Sequence, residues 1–294
     1  MRVAFFGTSA FGAGALERLA REDGIEIVRV VTQPDRPAGR GRRSASPPVA
    51  VTATALGLPL TQTERASADP PAADVGAVVA FGQMLRPPLL GGYSLFNLHP
   101  SLLPRWRGAA PIERAVMAGD TETAAAVIDL VAELDAGPVH GLERFPIGPQ
   151  DDAGAVAERA LTLGVPLLAE ALRGHTTGRE QVGETTYAAR IGPDDRRIDW
   201  ARPAGRIVDQ VRGLSPHIGA RTDLDGVALT VWRAQAVPAA AAAVPGTATA
   251  AGPALRIACG EGAVEVLDLQ PAGKRRMAAG EYLRGLRTPP ARAS

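Results

Sequence analysis

Asn97 and His99 stand two positions apart at the end of an apolar run, in the stretch NLHPSLLPRWRGAAP (97–111). Alternate side chains of a strand share a face, so an amide and an imidazole project together here while Leu98 points the other way. Pro100 cannot donate to a sheet ladder and holds His99 extended, so the strand is expected to stop there. In open α/β sheets ligands bind outside the carboxyl ends of strands, which puts this pair at a mouth. An imidazole suits acid/base work near neutral pH, and an amide can donate to an oxygen that gains charge. The same two residues can also satisfy loop backbone groups, and taken alone the pair does not choose between these roles.

Other chemistries find less support. GTSAFGAGA, after the first strand, invites a dinucleotide site, but Gly7, Gly12 and Gly14 do not keep the GxGxxG spacing, and VVTQPD puts no acidic residue at the end of the second strand. No GxSxG occurs, and the single Cys259 lies in an apolar run, LRIACGE, as a buried structural thiol would. The four histidines, His99, His140, His175 and His217, are scattered without an HxxxH pair, so no metal is expected. Charge is uneven beneath a net +1: DRPAGRGRR (35–43) holds four arginines against one aspartate, and residues 271–294 hold six basic groups against Glu281. Both segments can be solvated surface, and both can meet phosphates.

The elements that must position such residues read as two domains, as 294 residues would suggest at about 150 per domain. RVAFF, IEIVRVV, VGAVVAF and YSLFNL are buried strands alternating with helical stretches, GTSAFGAGALERLA capped by Ser9, PPVAVTATALGL and APIERAVMAGD. That alternation predicts a doubly wound, Rossmann-like α/β domain. AAAVIDLVAEL is open between helix and strand, its β-branched centre favouring a strand, and residues 152–174 have helical spacing. From about residue 187 to 204 the chain reads as a surface linker. Beyond it come one helix, GRIVDQVRGL, and short strands between Gly and Pro turns, the pattern of a small β-barrel; PAAAAAVP (238–245) reads as a loop. The expected domains are thus 1–186 and 205–294, with 187–204 between them. The N-terminus has too few apolar residues for a signal peptide and no run reaches a membrane-spanning length, which makes the cytoplasm the expected compartment.

Taken together, NLHPS, SLLPRWRGAAPI, QPDRPAGRGRR, LDAGPV and RIDW closely resemble the methionyl-tRNA formyltransferase family over nearly the whole chain. The resemblance implies an OB-like second domain, 10-formyltetrahydrofolate as formyl donor, initiator Met-tRNA as acceptor and a monomer acting without a covalent intermediate. It places the catalytic Asn, His and Asp on Asn97, His99 and Asp135; local sequence alone would make Asp135 a turn residue. The folate contacts fall on Ser101, Leu102, Leu103 and Pro104, and on Phe81, Met84 and Leu85, which the bare sequence would assign to the core. The tRNA contacts fall on the arginine loop, Arg36, Arg40, Arg42 and Arg43, whose guanidinium forks match phosphate oxygens. GKRR (273–276) of the second domain is a further candidate for phosphate.

The chain departs from the family pattern at Ala50, where the family often has Lys, at His217, where an aromatic is usual, and in TAAAVIDLVAELDAG, which lacks the Thr-Gly opening. Two other functions share these features: a folate-dependent formyltransferase of a nucleotide sugar or another amine, and a non-catalytic RNA-binding module.

Overall fold

The apolar run after Met1 forms β1 (Arg2–Gly7), in which Val3, Ala4, Phe5 and Phe6 are wholly buried. A strand apolar on both faces belongs in the middle of a parallel sheet covered on both sides. The structure, a computed structural model, describes residues 1–38, 43–239 and 243–294. They form two compact units, one of Met1–Pro111, Glu122–Phe145 and Ala157–Ala188, the other of Ile112–Thr121, Pro146–Val156 and Ala189–Ser294.

In the first unit β1 is followed by α1 (Ala10–Leu19), whose N-cap Ser9 accepts from the Gly12 N–H at 3.4 Å. A Cβ on Gly12 would lie 2.7 Å from the Val79 carbonyl oxygen, so this glycine serves close packing of helix on strand. Then follow in the chain β2 (Glu26–Thr32), α2 (Pro48–Ala55), β3 (Leu60–Gln62), β4 (Val75–Val79), β5 (Leu95–His99), α3 (Pro111–Ala118), β6 (Glu122–Asp129), β7 (Val139–Pro146) and α4 (Ala153–Leu172); nearly all of α3 and the first turn of α4 group with the second unit. The sheet order is β7-β6-β5-β4-β1-β2-β3. Strands β1 to β5 pair in parallel, while β6 runs antiparallel to β5. AAAVIDLVAEL therefore resolves as strand through Asp129. Opposite Asn97 and His99 on β6 stand Ile128 and Ala126. Leu98, on the other face, packs against Gly164 of α4.

The second unit is built on α6 (Ala204–Leu214), which follows the four-residue α5 (Pro193–Arg196). The spacing of Ile207, Val211 and Leu214 puts all three on one face, where they join the core of β8 (Ala220–Leu224), β9 (Val227–Val237), β10 (Ala248–Ala251), β11 (Ala254–Ala258) and β12 (Ala263–Pro271). The strands are antiparallel in the order β8-β9-β12-β11-β10, with Met277–Ala278 added to β12 before α7 (Ala279–Arg284). Residues 187–204 do more than cross a surface: Ile198 and Trp200 belong to this core, and the Trp200 indole donates to the Thr222 hydroxyl at 3.0 Å. Among the described residues no helix is long and apolar enough to cross a membrane.

The chain end closes this sheet. The Asp223 and Ser294 backbones exchange hydrogen bonds of 2.8 and 2.9 Å at one edge. At the other edge Ala248 N–H donates to Ala291 C=O and Ala293 N–H to Gly246 C=O, both at 2.8 Å. Residues 291–294 thus form the last stave between β8 and β10, and no free edge is left there. Deleting Ala291–Ser294 should cost about 2–6 kcal/mol from the four backbone hydrogen bonds above alone, at roughly 0.5–1.5 each. Urea unfolding reads this directly, and an unchanged midpoint would show that the barrel closes without its tail.

Candidate active site

The register of β5 puts Asn97 and His99 on one face, as their spacing predicts. Asn97 and His99 are both buried, at 8% and 4% exposure, on the face shared by Ala126 and Ile128. Two polar side chains in such a place need partners. The partner is Asp135, in the loop between β6 and β7. Asn97 Nδ2 donates to its Oδ1 at 3.3 Å, the Gly108 N–H donates to its Oδ2 at 2.8 Å, and His99 Nδ1 faces that same Oδ2 at 3.7 Å. The far side of the ring is occupied as well: His99 Nε2 lies 2.9 Å from the Trp106 carbonyl oxygen. A carbonyl only accepts, so Nε2 carries a hydrogen there, and Nδ1 is the ring atom turned toward the Asp135 carboxylate. Asn97 has a second amide hydrogen to offer a ligand.

Backbone strain marks the same spot. Asp135 has φ 49° and Trp106 φ 65°, the left-handed region that side chains other than glycine rarely adopt. Nearby, Gly137 Cα is pressed on β6 so closely that a Cβ there would lie 1.9 Å from the Asp129 carbonyl oxygen. This contact turns the loop back and carries Asp135 over β5.

Three residues in this arrangement were not singled out by sequence. Arg107, buried, donates through Nε and Nη2 to Gln181 Oε1 at 3.1 and 2.8 Å and through Nη1 to Glu133 at 3.0 Å. Gln181 Nε2 in turn donates to the carbonyls of Asp135 and Gly137, at 2.8 and 2.9 Å. Thr186 Oγ1 accepts the Trp106 N–H at 2.9 Å. An arginine in PRWRG invites a phosphate reading, and nothing local in GREQVGETTY signals a link to residue 135; only the fold brings these segments together. His140 is likewise engaged, with its ring 3.0 Å from Asp129 Oδ2, 2.9 Å from the Thr176 hydroxyl and edge-on to Phe96.

The residues that the resemblance assigns to folate fall in two places. Leu102, Leu103 and Pro104 line an open groove of about 430 Å³ with Val139, Leu142 and Gln181, and Leu103 packs on Ala126 and Ile128. Ser101 is fully buried and its hydroxyl donates to the Arg105 carbonyl at 2.8 Å. Phe81 and Leu85 sit in a separate apolar cluster with Phe6, Leu89 and Leu95, while Met84 is 69% exposed. Of the arginine loop, Arg36–Ala38 pairs antiparallel with Arg43–Ala45 and Arg36 is exposed. Arg40 and Arg42 lie outside the described residues, and for Arg43 the backbone alone is described.

The other candidates lie elsewhere in the fold. Burial pushes the Cys259 thiol up to about 11, so it stays protonated near neutral pH. In the second unit Arg276 pairs with Asp268 over the Trp232 ring, and Arg275 pairs with Glu281. Ala50 is buried on α2 and His217 is exposed. Among the described residues no group of three or more His, Cys, Asp or Glu side chains is arranged to hold a metal ion.

Known proteins resemble this chain over nearly its whole length. Residues 1–172 match the formyl transferase family and residues 190–287 match the formyl transferase C-terminal domain. The chain is 40% identical to a methionyl-tRNA formyltransferase of Clavibacter sepedonicus over 300 aligned positions, 98% of each chain. To that of Paracoccus denitrificans it is 42% identical, over 98% of this chain and 99% of the relative. A solved methionyl-tRNA formyltransferase from Clostridium thermocellum superposes with a TM-score of 0.59 at 14% identity, over 80% of this chain and 93% of that one, a likeness of fold.

The tight seat of Gly137 makes a direct test of the loop geometry. Gly137→Ala should lower stability by about 1–3 kcal/mol, the range for overpacking, because Asp129 or the loop must move. Denaturant unfolding checks this, and a neutral substitution would mean that the loop does not press on β6 as described.

Proposed function

The chain belongs to the methionyl-tRNA formyltransferase family, and from that premise we propose that it moves the formyl group of 10-formyltetrahydrofolate to the methionine amino group of initiator Met-tRNA, with Asn97, His99 and Asp135 as its catalytic residues. It is a transferase, and the formylation of methionyl-tRNA is its reaction. The observation that carries the site assignment is the convergence of an amide, an imidazole and a carboxylate on one face at the end of β5.

Each group has a part that its geometry allows. The folate supplies a formyl carbon joined to nitrogen. When the amine attacks that carbon the carbonyl oxygen gains charge, and the second N–H of Asn97 donates to it. His99 accepts the proton of the attacking amine at Nδ1, the atom left free by the Trp106 carbonyl, and returns it to the departing folate nitrogen. Asp135 balances the imidazolium formed meanwhile, and its bonds to Asn97 and Gly108 hold it in place.

The proposed folate contacts are Ser101, Leu102, Leu103 and Pro104 on one side and Phe81, Met84 and Leu85 on the other, where an apolar setting with a few polar backbone groups suits a flat heterocycle. Arg36, Arg40, Arg42 and Arg43 are proposed to meet the phosphates of the tRNA acceptor end. We assign residues 1–186 to catalysis, 187–204 to the connection and 205–294 to tRNA binding, in a monomer that acts in the cytoplasm.

Incubation with 10-formyltetrahydrofolate and charged initiator tRNA should release tetrahydrofolate and form formylmethionyl-tRNA, whereas small amines and nucleotide amino sugars should not be formylated. Binding of tRNA without turnover would overturn the enzymatic reading. Asn97→Ala, His99→Ala and Asp135→Ala should each reduce kcat by about 100-fold or more with the fold intact, as circular dichroism would verify. Near-native turnover by His99→Ala would remove the imidazole from the chemistry. Arg40→Ala should lower kcat/KM for tRNA and flatten its dependence on log salt by about 0.7–0.9, the effect of one phosphate contact. An unchanged salt slope would take this loop out of the interface.

A further inference from the structure

The segment between the two family matches, residues 173–189, holds a strap across the catalytic groups. We propose that Gln181 is a positioning residue for the reaction, acting through Asp135, and that it does so as part of a strap over 181–188 that fixes Asp135 and His99 together. The inference rests on the proposed roles of these two residues.

Both ends of the strap touch the backbone that aims a catalytic side chain. At its start, the Gln181 amide spans the carbonyls of Asp135 and Gly137, so a single side chain fixes the left-handed turn that delivers the carboxylate. Arg107 donates twice to the Gln181 carbonyl oxygen, and this decides which way round the amide stands: its NH2 must face the loop. At its end, Thr186 takes the Trp106 N–H on its hydroxyl and the Arg107 N–H on its carbonyl at 2.9 Å, and Ala188 C=O takes the Ala109 N–H at 2.8 Å. The Trp106 carbonyl between these bonds is the group that orients the His99 ring. The two catalytic groups, 36 positions apart, are therefore registered against each other through one short stretch. In a purely structural filler, the amide orientation and the two carbonyls would have no such bearing on the Asp135 carboxylate.

Two variants separate the parts of the idea. Gln181→Met keeps the length and removes both donors, while Gln181→Glu keeps a partner for Arg107 yet sets a carboxylate against two carbonyls. Each should lower kcat by about 10- to 100-fold, the scale of a misplacement near 1 Å, with KM for tRNA within about twofold. Hydrogen exchange gives a readout without turnover: protection of the Gly108 amide, which donates to Asp135 Oδ2, should fall about tenfold or more in both variants, while the Trp106 amide held by Thr186 stays protected. In a double-mutant cycle, Gln181→Met should cost nothing further once Asp135 is Ala. Native Gly108 protection in Gln181→Met, or a multiplied loss in the double variant, would overturn the inference. If the native protein fails to formylate Met-tRNA, the functional reading falls, yet the exchange measurement still decides whether Gln181 positions Asp135.

Discussion

The site depends on one carboxylate. Asp135 accepts from the Asn97 amide and the Gly108 N–H while it faces His99, so one side chain joins the end of β5, the loop after it and the loop after β6. In the low-dielectric interior such contacts are stronger than in water, and an unpaired member would be costly. The amide, the ring and the carboxylate therefore need one another to be buried at all. This gives the protein a preorganised polar centre in a face otherwise made of Ala126, Ile128 and Leu103.

That centre is held against strain. Two non-glycine residues in the left-handed region, Trp106 and Asp135, represent about 1–3 kcal/mol each, which the surrounding hydrogen bonds must offset. Those bonds come from Arg107, Gln181, Thr186 and Ala188. The buried guanidinium of Arg107 is spent on orienting an amide. Arginine in this fold is thus as much a tool for fixing backbone as a surface charge.

The second unit follows a simpler plan. One amphipathic helix packs on an antiparallel sheet, and the last four residues close the sheet by pairing with both of its edges. Its basic residues near 275 are paired with Asp268 and Glu281, so a polyanion binding there would exchange partners with these carboxylates.

Local pattern carried much of this. The buried runs of β1, β2, β4 and β5, the Ser9 cap, the helical spacing of α4 and α6, and the facing of Asn97 with His99 all follow from periodicity and from Pro100. The strand β8 was missed because its inward Thr222 is polar and breaks the apolar alternation, its burial being met by Trp200 and the chain end. Family resemblance named Asp135, but its approach to His99 is set by the Gly137 contact and by Gln181, 46 positions away. Periodicity reports on which side chains share a face of one element. It is blind to hydrogen bonds between loops, whose partners are chosen by the path of the chain in space, and only tertiary structure decided how these loops meet.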